Sequence, residues 1–406
     1  MRILMIAPQP FLEPRGTPIS VYQRLHGLSR LGHSVDLVTY HLGEEISLPG
    51  VRVFRIPALR TVKDLRVGPS WPKVPLDVLL FFKAFGLLLK GKYAVIHAHE
   101  EAAIFSLLLA ALFRTPLLYD MHSSLPRQLV NFNFGNYRPI IALFRFFERW
   151  VIRACDALIT IGSDLERHAQ AINPGVVQVM IENLPVRARL TEADLQAAGD
   201  LRLEYRLEGK LSVVYTGTLE HYQGIQLLID SAGLVCRTHP EAVFFLVGGK
   251  PAQVLEWQAA ARRAGLEGRM IFTGTLPVEI TNRFLDMADI LVSPRIAGTS
   301  VPLKIYTYML AGKPILATNL SAHTQVLTSE TAVLVGPNCE AVADGLTRLI
   351  CDAELRQRLG SQAQKLAEEK YSPTAYLAKL EKIYGALQPT LAPKEQPVHS
   401  LDNYGD

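Results

Sequence analysis

Short, apolar, β-type runs alternate with helical stretches along nearly the whole chain, and the alternation comes in two separate cycles. The first cycle has strand-like runs at Arg2–Ala7, Val35–Tyr40, Val51–Ile56, Ala94–Ala98, Pro116–Tyr119, Ala157–Ile161 and Val176–Glu182. Its helical stretches fall at Ile19–Leu31, Ala102–Phe113, Pro139–Ala154 and Ser163–Ala171. Asn183–Ala198 breaks the pattern and reads as an inter-domain connection. The second cycle runs through Leu211–Tyr215, Ala242–Val247, Met270–Thr273, Ile290–Ser293, Pro314–Ala317 and Ala332–Val335, with helices expected at Ile225–Arg237, Gln253–Ala264, Val278–Met287 and Pro302–Leu310. Strands that are apolar on both faces and separated by helices predict a mostly parallel sheet covered on both sides. The expected fold is α/β, two tandem Rossmann-like domains facing a cleft.

A chain of 406 residues is too long for one ordinary core, which agrees with two domains. The expected boundaries are 1–185 and 186–370, followed by a helix at 371–387 that packs back on the first domain. The polar tail at 388–406 reads as disordered. The opening Met1–Pro8 is apolar for too few residues to be a signal peptide and reads as a first buried strand. Cys155, Cys236, Cys339 and Cys351 form no Cys-x-x-Cys pair, so neither a disulfide framework nor a zinc site is expected, and a reducing, cytoplasmic compartment is. Charge is uneven: residues 1–190 carry 22 Lys/Arg against 14 Asp/Glu, the rest 20 against 24. A basic first half suits a phosphate-bearing substrate or an anionic membrane. No nucleic-acid motif accompanies it, so nucleic acid is not expected as a partner.

Ligands of open α/β sheets bind outside the carboxyl ends of the strands, so the loops there are the candidate sites. The first such loop ends Pro14-Arg15-Gly16-Thr17-Pro18 before a helix, where backbone N–H groups can meet an anion. In the second cycle Gly217 and Thr218, Gly248 and Gly249, and Gly274 close successive strands. A fourth loop, Ser293 to Tyr306, gathers Arg295, Gly298, Thr299 and Lys304 at the start of a helix, where cations and the helix dipole converge on a diphosphate.

The segment Pro302-Leu303-Lys304-Ile305-Tyr306 through Lys313-Pro314-Ile315-Leu316-Ala317-Thr318 resembles the donor-binding helix and following strand of family 4 glycosyltransferases. The Gly16 loop, Asp120-x-His122, Ile181-Glu182-Asn183 and the Tyr215–Gly224 loop follow in that family's order. The resemblance implies the GT-B fold, with the acceptor on the first domain and a nucleotide-sugar donor on the second. It also implies retention of anomeric configuration, with no metal and no cofactor. The sequence has no Asp-x-Asp pair. Carried over, His122 is the cleft histidine beside the sugar, with Asp120 able to orient it, and both are expected to be catalytic. Gly16 and Thr17 approach the donor phosphates. Gly298, Thr299, Lys304 and Ile305 hold the diphosphate and nucleoside.

Two departures stand out. Where the family places paired glutamates eight positions apart, this chain has Thr299 and Thr307, and where it places Arg and Lys after the second domain's first strand, Thr218 and Gln223 stand. Thr307 is expected to take over nucleoside contacts through its hydroxyl. Glu100 and Glu101 close a strand and are candidates to touch the acceptor, while His97 and His99 have metal-ligand spacing with no third ligand in view. Leu76–Leu89 is very apolar yet too short to span a bilayer, and Arg138–Arg153 interleaves four arginines with Phe144, Phe146, Phe147 and Trp150, as an interfacial helix does. Either stretch reads equally as a helix packed on its sheet. A glycan or lipid-linked acceptor and an anionic membrane surface are therefore the expected partners beside the nucleotide sugar. The rival readings are a non-catalytic sugar-nucleotide or glycan-binding protein, suggested by the missing glutamates, and a sugar-nucleotide epimerase, which would need cleft carboxylates that the donor loops lack.

Overall fold

A computed structural model describes residues 1–11, 16–59, 62, 72–126, 129, 138–186 and 192–388. Pro14 and Arg15 of the first loop, and the tail from 389 onward, lie outside the described residues. The first sheet is built from β1 (Arg2–Ala7), β2 (Ser34–Thr39), β3 (Val51–Arg55), β4 (Val95–His99), β5 (Leu117–Met121), β6 (Ala157–Thr160) and β7 (Val177–Met180). Its order is β3-β2-β1-β4-β5-β6-β7, and every pairing is parallel. Between these strands run α1 (Gly16–Arg30), α2 (Lys73–Lys90), α3 (Ala102–Phe113), α4 (Arg138–Ala154) and α5 (Ser163–Ile172).

The second domain opens with α6 (Glu192–Glu204). The helix begins inside the stretch read as a connection: the hydrophobic periodicity lapses there, but Ala-, Leu- and Glu-rich sequence is helix-forming without it. Then come β8 (Leu211–Thr216), α7 (Ile225–Thr238), β9 (Ala242–Val247), α8 (Pro251–Arg263), β10 (Met270–Gly274), α9 (Val278–Met287), β11 (Ile290–Ser293), α10 (Leu303–Leu310), β12 (Ile315–Thr318), the short α11 (Ser321–Thr324) and β13 (Val333–Val335). This sheet is also parallel, in the order β10-β9-β8-β11-β12-β13. The chain ends in α12 (Cys339–Cys351), α13 (Ala353–Lys370) and α14 (Pro373–Leu387).

Each sheet is buried on both faces. α2, α3 and α4 cover one face of the first sheet, and α1 covers the other together with α14. The last helix has thus crossed back: its Tyr376, Leu380, Ile383, Tyr384 and Leu387 pack among Ile3, Val21, Leu25 and Val35. In both sheets the strand order reverses once, between β1 and β4 and between β8 and β11. Neighbouring loops must diverge at such a point, which leaves a crevice.

Candidate active site

At the first crevice the first turn of α1 meets the end of β4, where the Thr17 hydroxyl donates to Glu100 Oε1 at 3.5 Å. Gly16 opens α1 with nothing within 4 Å of where a Cβ would stand, so a ligand can come close to the backbone there. Glu100 is held in the left-handed region (φ 48°), and burial plus the neighbouring Glu101 push its carboxyl up to about 7. Lys73 pairs with Glu101 at 3.2 Å. Tyr40 donates to Asp77 at 2.5 Å, and burial and Glu101 raise that carboxyl to about 7 as well.

Directly behind, at the ends of β4 and β5, lies a buried polar cluster. Asp120 is fully buried, and its Oδ2 accepts Arg24 Nε at 2.8 Å. The guanidinium also donates to the Tyr376 hydroxyl at 2.7 Å and to the Ile181 carbonyl at 2.9 Å. His97 Nε2 lies 3.3 Å from the same carboxylate oxygen, and its Nδ1 lies 2.7 Å from the Tyr384 hydroxyl. A hydroxyl donating to Nδ1 and an Nε2–H pointing at the carboxylate satisfy both contacts. Burial alone would raise the carboxyl of Asp120, but Arg24 and His122 hold it well below the usual range. His122, just after β5, turns Nε2 inward, 3.3 Å from Asp120 Oδ1 and 2.9 Å from His99 Nδ1. Its Nδ1 is buried without a partner among the described residues, and burial lowers the imidazole pKa to about 4. At neutral pH it is an uncharged ring, 4% exposed, with one ring nitrogen left without a hydrogen-bond partner among the described residues.

The expectation that Asp120 is itself catalytic needs correcting. With no exposure it does not line the crevice, and its Oδ1, 3.3 Å from His122 Nε2, has no hydrogen-bond partner among the described residues, so the carboxylate lies behind the histidine as a neighbouring charge. The third ligand missing beside His97 and His99 is Asp120 as well, since the three donor atoms lie within 4.8 Å of one another. Arg24 already brings to that carboxylate the positive charge an ion would bring, so the cluster is better explained as a charged hydrogen-bond network than as a metal centre.

At the second crevice Lys304, on the first turn of α10, reaches back to the end of β8. Its Nζ donates to the Thr216 carbonyl at 3.0 Å and lies 3.7 Å from the centre of the Tyr215 ring. Burial and the like charge of Arg295 hold its pKa well below the lysine range. Arg295 donates to the Ser300 carbonyl at 2.8 Å and stacks over Tyr222 at 5.1 Å, and its Nε is buried without a partner. Among the described residues neither cation has a carboxylate partner. Two half-buried like charges kept together without one are a site prepared for an anion.

The glycines divide by cause. A Cβ on Gly248 (φ 128°) would sit 2.1 Å from the Gly217 carbonyl, and one on Gly249 would strike Leu219, so packing requires both. Gly274 faces open space beside a depression of about 290 Å³ lined by Gly249, Phe272 and Thr275. Gly217 and Thr218 are exposed next to Lys304, and a Cβ on Gly298 would crowd the Arg295 guanidinium at 3.2 Å. Ile305 departs from expectation: its side chain is fully buried in the second domain's core and offers a ligand nothing. The Thr307 hydroxyl oxygen accepts the Val186 N–H at 3.1 Å, so it is tied to the linker between the domains. Thr299 is exposed, and with Ser300 and Val301 it lines a gap whose other wall is Ser123 and Ser124, the turn next to His122. The two crevices therefore face each other.

Arg24, Tyr376 and Tyr384 escaped the sequence reading. One signal was present for Arg24, a cation among Val21, Leu25 and Leu28 on the apolar stripe of a helix. The tyrosines depend on where α14 lands, which no local pattern reveals.

Two parallel Rossmann-like domains with opposed crevices define the GT-B class of proteins. Solved structures agree at the level of fold: HepE from Anabaena in complex with UDP superposes with a TM-score of 0.73 at 18% identity, covering 95% of this chain and all of that one. Sucrose-phosphate synthase from Thermosynechococcus elongatus gives 0.76 at 19%, covering 96% and 99%. The family descriptions "Glycosyl transferase 4-like domain" and "Glycosyl transferases group 1" match residues 15–184 and 210–352. Among curated relatives, alpha-D-kanosaminyltransferase of Streptomyces kanamyceticus is 25% identical over 86% of this chain and 99% of its own. A phosphatidyl-myo-inositol mannosyltransferase of Mycobacterium tuberculosis is 26% identical over 95% and 96%. The chain belongs to the family 4 (group 1) glycosyltransferases and is a transferase.

Proposed function

We propose that the enzyme moves a sugar, with retention and without a metal, from a nucleoside-diphosphate sugar to a glycan or lipid-linked acceptor, in the cytoplasm. The observation that carries this reading is the Lys304–Arg295 pair at the second crevice, without a carboxylate partner among the described residues, on a loop whose Thr299–Val301 segment faces Ser123 and Ser124 beside His122. A leaving diphosphate gains negative charge as its bond to the anomeric carbon breaks, and two cations at a helix amino terminus stabilise that charge. The neutral His122 Nδ1 accepts a hydrogen bond from a sugar hydroxyl and positions the ring. The acceptor oxygen bonds to the anomeric carbon on the face the diphosphate leaves, and its proton passes to a phosphate oxygen. The reading needs no protein nucleophile, and the buried Asp120 could not be one. HepE was solved with UDP and with UDP-glucose, and the mycobacterial relative is named for a phosphatidylinositol acceptor, which supports a nucleotide sugar and a lipid-borne acceptor here.

The test is to incubate the protein with a panel of nucleotide sugars, with and without soluble glycans and phospholipid acceptors, following nucleoside diphosphate release and the anomeric configuration of the product by NMR. Acceptor-dependent release with retention is expected. An inverted product would refute the same-face step, and donor binding with no turnover on any acceptor would favour the non-catalytic reading.

A further inference from the structure

Among the described residues, 16 large apolar side chains are exposed, and nine of them sit on three helices. They are Val74, Val78, Phe82 and Leu89 on α2, Leu108 and Leu112 on α3, and Leu143, Phe146 and Trp150 on α4. These helices are consecutive neighbours on one side of the first sheet: α2 packs on α3, and α3 on α4. Scattered exposed leucines are ordinary, but a concentration on one helical layer marks an interaction surface. The residues keep helical register. Val74, Val78 and Phe82 recur every four positions, while Leu76, Leu80, Ala84 and Leu88 of the same helix face the sheet.

The charge on this layer has one sign. Arg138, Arg145, Arg149 and Arg153 of α4 are exposed, as are Lys90 and Lys92 at the end of α2, and among the described residues none of the four arginines is in an ion pair. The only carboxylates on the three helices are turned inward. Asp77 accepts from Tyr40, and the buried Glu148 accepts from Ser124 and the Leu125 N–H and meets His168. No helix of the described residues is long and apolar enough to cross a membrane.

We infer that the outer layer of α2, α3 and α4 is a docking surface for an anionic lipid bilayer. Its apolar residues enter the headgroup–acyl boundary and its arginines meet lipid phosphates. Apolar area ringed by uncompensated cations fits such an interface, whereas a protein partner of ordinary composition would leave the arginines unanswered. The orientation serves the chemistry. Because the strands are parallel, the amino-terminal ends of these helices lie at the carboxyl edge of the sheet, where Lys73 meets Glu101 beside Glu100 and Thr17. A headgroup in the bilayer thus lies alongside the acceptor side of the crevice. The inference extends the proposed lipid acceptor, but its test does not depend on catalysis.

Flotation with phosphatidylglycerol–phosphatidylcholine vesicles, against phosphatidylcholine alone, reads binding directly. Binding should require the anionic lipid and weaken roughly fivefold for each of Arg145→Gln and Arg149→Gln. Brominated acyl chains should quench a fluorescence component that Trp150→Phe removes, which places that ring in the membrane. Phe82→Ser with Phe146→Ser should abolish flotation while nucleotide affinity stays unchanged. Flotation indifferent to these changes, or no quenching attributable to Trp150, overturns the inference. So does sedimentation equilibrium showing a dimer of this chain that Phe146→Ser dissociates. A parent protein that floats with the anionic vesicles yet transfers no sugar to any acceptor would instead count against the proposed reaction.

Discussion

Lys304→Met separates the cost of keeping an unpaired cation from its use. The substitution preserves most of the apolar stem over Tyr215 and removes the charge. In the free protein the lysine gains one hydrogen bond to Thr216 and a cation–π contact, about 1 kcal/mol each, and loses through burial and the like charge of Arg295. These effects oppose, so unfolding without nucleotide should change by less than about 1 kcal/mol. With nucleoside diphosphate bound, the same group makes charge-assisted bonds worth about 1.5–3 kcal/mol, and its loss should weaken binding roughly 10- to 150-fold. The sign of the pH dependence follows. A diphosphate raises a lysine pKa that burial and Arg295 had lowered, so the complex holds more protons than the free protein. Affinity then strengthens as pH falls through the interval between the two values. Calorimetry in two buffers of different ionisation heat should show proton uptake in the parent and less in Lys304→Met. An unchanged affinity in a folded Lys304→Met protein would refute the diphosphate assignment.

His122→Ala should leave nucleotide affinity and folding intact and lower turnover at least about tenfold, and kcat in the parent should show no inflection at the ordinary histidine pKa, because the ring is already neutral there. Thr307→Val should cost about 1 kcal/mol of stability in denaturant titrations, since the Val186 N–H loses its acceptor. A loss of nucleotide affinity with stability untouched would show that the hydroxyl faces the nucleoside instead. Glu100 has a folded pKa of about 7 against an ordinary 4.5, so its contribution to stability falls as pH rises through that window. Glu100→Gln should flatten the stability–pH profile there relative to the parent, and a parallel profile would mean the carboxyl is already ionised.

The two-sheet plan was legible because fully buried parallel strands must be apolar on both faces, and Ala242–Val247 or Ile290–Ser293 can be little else. The facing loops followed from topology, and Lys304 and Arg295 from their loop. What sequence could not supply was the use of each residue within its element. Ile305 and Lys304 are neighbours on α10, yet one fills the core and the other reaches Thr216, a difference set by the face each presents. Gly248 looks like Gly274 as text, but one is demanded by the Gly217 carbonyl and the other opens onto empty space. The apolar stretch Leu76–Leu89 divides by register into core positions and exposed ones, a division that depends on where the sheet lies.

The Asp120 cluster gives the final helix a part in the site. A buried ion pair is a poor device for stability alone, since well-packed apolar groups often serve as well. What the pair accomplishes here is directional. Arg24 and His97 occupy Oδ2 of the carboxylate and leave Oδ1 turned toward His122. Both occupants are in turn held by hydroxyls of α14, Arg24 by Tyr376 and His97 by Tyr384. Without those hydroxyls two buried polar groups would lose a partner, and the carboxylate would be freer to rotate. The helix follows the whole second domain in sequence yet packs on the first, so its docking ties the last segment of the chain to the Asp120 cluster behind His122.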